Sequence, residues 1–254
     1  DSNTQALKSF KVIDKEDHGW SEFVTHKGVD NTKQLDDFYY SLGEILCLMY
    51  MLGGLDLHHE NLIAHGSNPM VIDLECLLTP ELGSLSHSIK RHVGESLLLP
   101  NKIQVTKDFA GIDISGMGGE GKQRARYKRT NWAEAVTDNM HITREEFELP
   151  PSQNNPFVKG RRALGAGDYA DPVYNGFTLA YKTLLKHKEE LLQDDSVFSN
   201  FDGVGVRLVL RNTSEYATLL HESYHPILFA NEKKYHKHIL QKSFKKISYI
   251  FYNK

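Results

Sequence analysis

Cysteine, proline and long apolar runs are scarce in this chain of 254 residues, and each scarcity excludes a class of protein. Two cysteines, Cys47 and Cys76, cannot form a disulfide framework or a thiolate-rich zinc site. The longest apolar run, Ile45 to Leu52, is far too short to span a bilayer. Charge of one sign is also lacking: 30 Lys and Arg face 33 Asp and Glu, for a net charge of −3. That balance excludes a protein held to nucleic acid mainly by bulk positive charge. The opening DSNTQALKSF has no apolar signal region and no initiator Met. What is present, 40% hydrophobic and 25% charged residues, is ordinary globular composition and argues against disorder. The expectation is a soluble protein of a reducing, cytoplasmic compartment, and a piece of something longer.

Along the chain, Lys11–Asp14 and Trp20–Val24 read as two short strands about a turn at Gly19. A strong amphipathic helix follows, with Leu35, Phe38, Tyr39, Leu42, Ile45, Leu46 and Met49 at three- and four-residue steps. Asn31 or Thr32 can cap its start, and Gly53-Gly54 ends it. Asn61–Ala64 and Met70–Leu74 read as strands, and residues 149–175, with half of the eight prolines, as loop. A second helix carries Phe177, Ala180, Tyr181, Leu184, Leu185, Leu191 and Leu192. Val204 to Leu210 alternates as a strand, and a short helix begins near Thr213 or Ser214. Sheet-like pieces first and helices later suggest an α+β fold.

The strongest chemical signal is Asp56-Leu-His-His-Glu-Asn61, followed by Asp73-Leu-Glu75 at a strand end. The step from Asp56 to Asn61 equals the Asp-to-Asn offset of a kinase catalytic loop. Phosphoryl transfer needs a carboxylate that takes the nucleophile's proton, and an amide oxygen with a second carboxylate to hold Mg²⁺ on the phosphates. Asp56 suits the first role, and Asn61 with Asp73 the second. Glu75 offers a further Mg²⁺ ligand, and His58 lies where kinases place a lysine near the transferred phosphate. Arg207-Leu-Val-Leu-Arg211-Asn-Thr213 puts two arginines beside a helix start, a good anion site.

Other patterns carry less. His221-Glu-Ser-Tyr-His225 matches HExxH, but Pro226 follows at once and no zinc site is expected. Gly116 to Lys122 has P-loop spacing with Gln123 in place of Ser or Thr, and reads as a flexible glycine loop. Gly165-Ala-Gly167 resembles a dinucleotide fingerprint, but Asp171-Pro172 is expected to block the helix it needs. The basic run Lys122 to Arg129 reads as solvated surface, and no nucleic-acid partner is expected.

The order GWSEFV, DLHHENLIAHG, PMVIDLE, DISGMGG and RLVLRNTSEY, closing with Ser223-Tyr-His-Pro226, closely resembles the dehydratase region of class II lanthipeptide synthetases of the LanM type. The resemblance runs from about Lys11 to Pro226. It implies a lipid- and protein-kinase-like fold, mainly a C-lobe over residues 31–226, with a partial N-lobe over 1–30 and a divergent tail over 227–254. It implies that ATP and Mg²⁺ phosphorylate Ser and Thr of a ribosomally made bacterial precursor peptide. Phosphate is then eliminated to leave dehydroalanine or dehydrobutyrine. Asp56 and His58 match the catalytic positions, Asn61 and Asp73 the Mg²⁺ ligands with Glu75 beside them, and Arg207 and Thr213 the elimination residues. Arg211 is a further phosphate contact.

In the family the nucleotide-anchoring lysine and the glycine-rich N-lobe lie upstream of GWSEFV, and a zinc-dependent cyclase lies downstream. Residues 1–254 alone are therefore expected to have little activity. Two other readings fit the same motifs: a small-molecule phosphotransferase like the aminoglycoside kinases, and a non-catalytic kinase-like module that binds peptides.

Overall fold

The structure is a computed structural model that describes residues 6–79, 92–101, 104–106, 109–118, 123–150, 152–158, 161–162, 166–206, 213–224 and 226–240. Helices and short strands are mixed, and each sheet among the described residues has two strands. The chain divides into two compact units, one of Asp1–Thr79, Arg91–Lys128 and Glu146–Arg207, the other of Pro80–Lys90, Arg129–Glu145 and Leu208–Lys254.

The first unit begins with β1 (Val12–Asp14) antiparallel to β2 (Gly19–Ser21), with Ile13 opposite Trp20. The central element is α1 (Thr32–Met51). Asn31 caps it by accepting the Gln34 N–H at 3.0 Å, while Gln34 Oε1 reaches back to the Asp30 N–H at 2.8 Å, close to a capping box. Its apolar stripe is buried, with Phe38, Tyr39 and Leu42 fully covered. Each such side chain contributes about 1.5–3 kcal/mol of burial. The helix ends where expected: Gly53 adopts φ +59° and the Gly54 N–H donates to Met49 O at 2.7 Å. Glycine is favoured in that left-handed conformation because it has no Cβ to clash.

Beyond a loop, β3 (Leu62–His65) pairs antiparallel with β4 (Asn68–Val71), Leu62 opposite Val71. β3 sits one residue later than expected, and β4 starts two residues and ends three residues earlier, about a turn at Gly66, whose φ is +65°. A 3₁₀ turn at Val93–Ser96 precedes β5 (Gln104–Thr106) and β6 (Phe109–Ala110), which pair with an irregular register. Next come β7 (Gln123–Ala133) and β8 (His141–Leu149), paired in one sheet, and β9 (Phe157–Val158) with β10 (Arg161–Arg162).

Helix α2 (Ala170–Lys186) then packs on α1. Its start corrects an expectation, since Asp171-Pro172 does not block a helix but lies in its first turn. There a missing N–H costs nothing, because the first helical N–H groups have no intrahelical partner. The two helices meet backbone to backbone. A methyl on Gly43 would be driven into the Val173 carbonyl, and one on Gly176 into the Tyr40 carbonyl. The apolar stripe does not continue as one helix: the chain bends at His187 into α3 (Lys188–Leu191), and Leu185 and Leu192 are exposed. Val204–Val206, expected as the start of a strand, form none, and Leu208–Leu210 lie outside the described residues.

In the second unit, α4 (Thr213–Ser223) starts where the sequence placed it, and α5 (Pro226–Phe229) and a helix over 232–240 follow. Among the described residues no helix is long and apolar enough to cross a membrane.

Candidate active site

The loop after α1 carries the first motif. Its backbone is tied to its surroundings residue by residue: Leu55 N–H to Cys76 O at 2.9 Å, Leu57 N–H to Ser96 O at 2.8 Å, and His59 N–H to Ile114 O at 3.0 Å. Leu57 is fully buried, while Asp56 before it is exposed. Asp56 adopts φ +66°, a left-handed conformation that non-glycine residues seldom take. Sparsely populated backbone of this kind persists only where the surroundings over-determine it, and it clusters at functional sites.

Asn61 Nδ2 donates to Asp56 O at 2.9 Å, so the amide's nitrogen is committed to the loop and its Oδ1 remains as the acceptor face. The Glu60 N–H donates to His58 Nδ1 at 3.1 Å. A neutral His58 therefore carries its proton on Nε2. The second motif follows β4. Ile72 N–H donates to Asn61 O at 3.0 Å, placing the strand end beside the loop, and Asp73 Oδ1 accepts the Glu75 N–H at 3.1 Å.

Cys76, three residues after Asp73, is buried, and its carbonyl accepts the Leu55 N–H of the first motif's loop. Its thiol pKa is raised by burial first, then by the negative charges of Asp56 and Asp73. Asp56, His58, Asn61, Asp73 and Glu75 all belong to the first unit. Among the described residues no group of three or more His, Cys, Asp and Glu is placed to hold a metal ion. The donors here are two carboxylates and an amide oxygen. That hard, oxygen-only set suits Mg²⁺, which usually takes one or two carboxylates and completes its shell with water and phosphate.

Arg207 and Arg211 lie outside the described residues, and Thr213 is the first residue of α4. His221 and Glu222 are on the same helix and line a pocket of about 670 Å³ with Trp132 and His238. His238 Nε2 lies 3.3 Å from Glu222 Oε2, and His225 is outside the described residues.

Several groups at the site were given no role by the sequence, although Asp113 and Ser115 belong to the DISGMGG block. Asp113 and Ser115 are buried, and Asp113 Oδ1 accepts Ser115 N–H at 3.0 Å and Ser115 Oγ–H at 2.7 Å. Ser115 pairs with His58 as an isolated antiparallel bridge. Gly116 and Gly118 are buried against this arrangement, so the flexible glycine loop expected at 116–121 is tightly held at 116–118. A methyl on Gly116 would lie 2.6 Å from Leu57 O. Buried Asn154 and Asn155, in a stretch read as loop, bind the same segment. A run of polar residues before a proline gives no sign in sequence that its amides are interior. His59 is also buried, with Nδ1 unpartnered, and burial foremost holds its imidazole below the ordinary value.

Comparison with known proteins bears on this geometry. Residues 1–248 match the model of a family described as a domain of unknown function, DUF4135. The chain belongs to that family. DUF4135 is the family of the dehydratase region of LanM-type lanthipeptide synthetases, as the order of motifs implied. A curated relative, the lacticin 481/lactococcin biosynthesis protein LcnDR2 of Lactococcus lactis subsp. lactis, is 26% identical over an alignment of 234 residues that covers 88% of this chain. The chain spans 25% of the length of that relative.

Proposed function

We propose that this chain supplies the site for phosphorylating Ser and Thr of a ribosomally made precursor peptide and, with its later residues, for eliminating the phosphate. The observation that carries the reading is that Asn61 ties the two motifs together, its side chain donating to Asp56 O and its carbonyl accepting the Ile72 N–H just before Asp73. The DUF4135 membership and the likeness to a lantibiotic biosynthesis protein support a peptide as the substrate. In this reading the fold is kinase-like, mainly a C-lobe, and the enzyme acts in the bacterial cytoplasm.

The first step is phosphoryl transfer. Asp56 accepts or orients the proton of the peptide hydroxyl as its oxygen bonds to the γ-phosphorus of ATP. The bond from that phosphorus to the bridging oxygen breaks, and ADP leaves. A positioned base of this kind is worth roughly a hundred- to ten-thousandfold. His58 presents Nε2–H as a donor to the phosphate, because its Nδ1 is occupied by the Glu60 N–H. Asn61, Asp73 and Glu75 would hold Mg²⁺, which when bound neutralises charge on the phosphates. In the second step a base removes the Cα proton, the Cβ–O bond breaks and phosphate departs, leaving the alkene. Arg207 and Thr213 are assigned to this step and Arg211 to phosphate contact.

The full-length enzyme carrying Arg207→Met tests the reading, with the precursor peptide and ATP. Accumulation of phosphopeptide is expected in place of dehydrated product. Unchanged product would point to a small-molecule phosphotransferase, which has no use for an elimination residue. Peptide binding indifferent to Asp73→Asn, with no Mg²⁺-dependent nucleotide binding, would point to a non-catalytic module.

A further inference from the structure

We infer that Asn154 is a positioning residue for phosphoryl transfer, holding the Asp56–Asn61 loop in its reactive shape through the backbone of Gly116–Gly118. The inference rests on the phosphorylation reading proposed above. The loop has no regular ladder to hold it; its backbone meets the 113–118 segment only through the His58–Ser115 bridge and the His59 N–H to Ile114 O bond. That segment must itself be held from behind, and Asn154 does this. Its Nδ2 donates both protons, to Gly116 O at 2.8 Å and to Gly118 O at 2.8 Å. Fully buried amide donors aimed at two carbonyls of one turn fix the turn's orientation as well as its place.

The same segment reaches the loop directly. Ser152 Oγ accepts the Asn154 N–H at 3.4 Å and lies within donating reach of His59 O at 3.2 Å, so one hydroxyl links the clamp to the residue after His58. Asn155 extends the connection to the core: Nδ2 donates to Gly118 O at 3.0 Å, and Oδ1 accepts the Tyr39 hydroxyl of α1 at 3.3 Å. Tyr39 is in turn stacked on Tyr169, with ring centroids 4.2 Å apart. The clamp therefore references the loop to the helix that leads into it, and both ends of the motif share one frame. Asn154, Asn155 and Tyr39 are buried, so their effect is on the geometry of the loop. Displacing a reacting group by about 1 Å can cost a hundredfold in rate.

The test uses the full-length enzyme with Asn154→Asp, which keeps the shape but turns an oxygen toward two carbonyl oxygens. Three quantities are measured: the rate of peptide phosphorylation, the rate of elimination from a pre-phosphorylated peptide, and the thermal midpoint. Phosphorylation is expected to fall roughly a hundredfold, in kcat rather than in peptide KM, with elimination at the wild-type rate. A parallel loss in both steps, or undiminished phosphorylation in a folded variant, overturns the inference. If Asn154→Asp does not fold, Tyr39→Phe removes one donor without changing shape, and a smaller loss confined to phosphorylation is expected; no loss overturns the inference. A wild-type enzyme that phosphorylates no peptide sinks the functional reading itself.

Discussion

Glu44 sits on the buried face of α1, 3% exposed, with no hydrogen-bond partner for its Oε2. Burial raises its carboxyl from an ordinary 4.5 to about 7. The sign of the consequence follows from proton counting. Below pH 4.5 the group is neutral in folded and unfolded chains alike and costs nothing. Between pH 4.5 and about 7 the unfolded chain ionises it while the fold keeps it protonated, so stability falls as pH rises. Above about 7 the loss is complete. At about 1.4 kcal/mol per pH unit the full cost is roughly 3 kcal/mol. Glu44→Gln preserves the shape and stays neutral throughout. Urea unfolding followed by far-ultraviolet circular dichroism should show the two proteins alike near pH 4.5, with the variant more stable by roughly 3 kcal/mol at pH 8. A difference that does not change with pH, or a wild type more stable at pH 8, would refute the reasoning.

Gly176→Ala should destabilise by about 1–3 kcal/mol or more through overpacking on Tyr40 O, measured by the same unfolding, although alanine is the better helix former by about 1 kcal/mol. Burial keeps the His59 imidazole below its ordinary 6.5, so its contribution to stability is present above that pH and lost as pH falls; His59→Gln should flatten the acid side of the stability profile. Both thiols are buried and raised in pKa, Cys47 to about 11, so iodoacetamide should modify neither in the native protein and both in urea, as read by mass spectrometry. Asp56→Asn should slow phosphorylation by roughly a hundredfold or more in a single-turnover assay on the full-length enzyme.

How far the sequence could be read depended on whether a feature was local. The start, stripe and end of α1 were all legible, because capping, helical period and glycine termination act within a few residues. The Asp56–Asn61 and Asp73–Glu75 motifs were legible by spacing, yet their approach to one another depends on the β3–β4 hairpin and shows only in the folded chain, in the Ile72 N–H to Asn61 O bond. Asn154 could not be found this way, and Asp113 appeared only as a letter of DISGMGG with no role attached. Their importance lies in partners 36 to 38 residues away or in a buried turn, and polar letters in a proline-flanked stretch look the same whether solvated or interior. Pro172 misled for a simpler reason: a proline forbids the interior of a helix but not its first turn.

The glycine contact between α1 and α2 has a consequence for how this chain can vary. Backbone pressed on backbone leaves no side chain to trim, so Gly43 serves as a fixed datum from which the rest of α1 is measured out to Asp56. One residue inserted in the helix between Gly43 and Met51 would turn everything beyond it by about 100° and advance it by about 1.5 Å. Within this stretch only Met51 and Asp56 are exposed, so substitutions are constrained by packing and changes in length by the datum as well. Natural variants should therefore keep the count between Gly43 and Asp56, while insertions collect elsewhere.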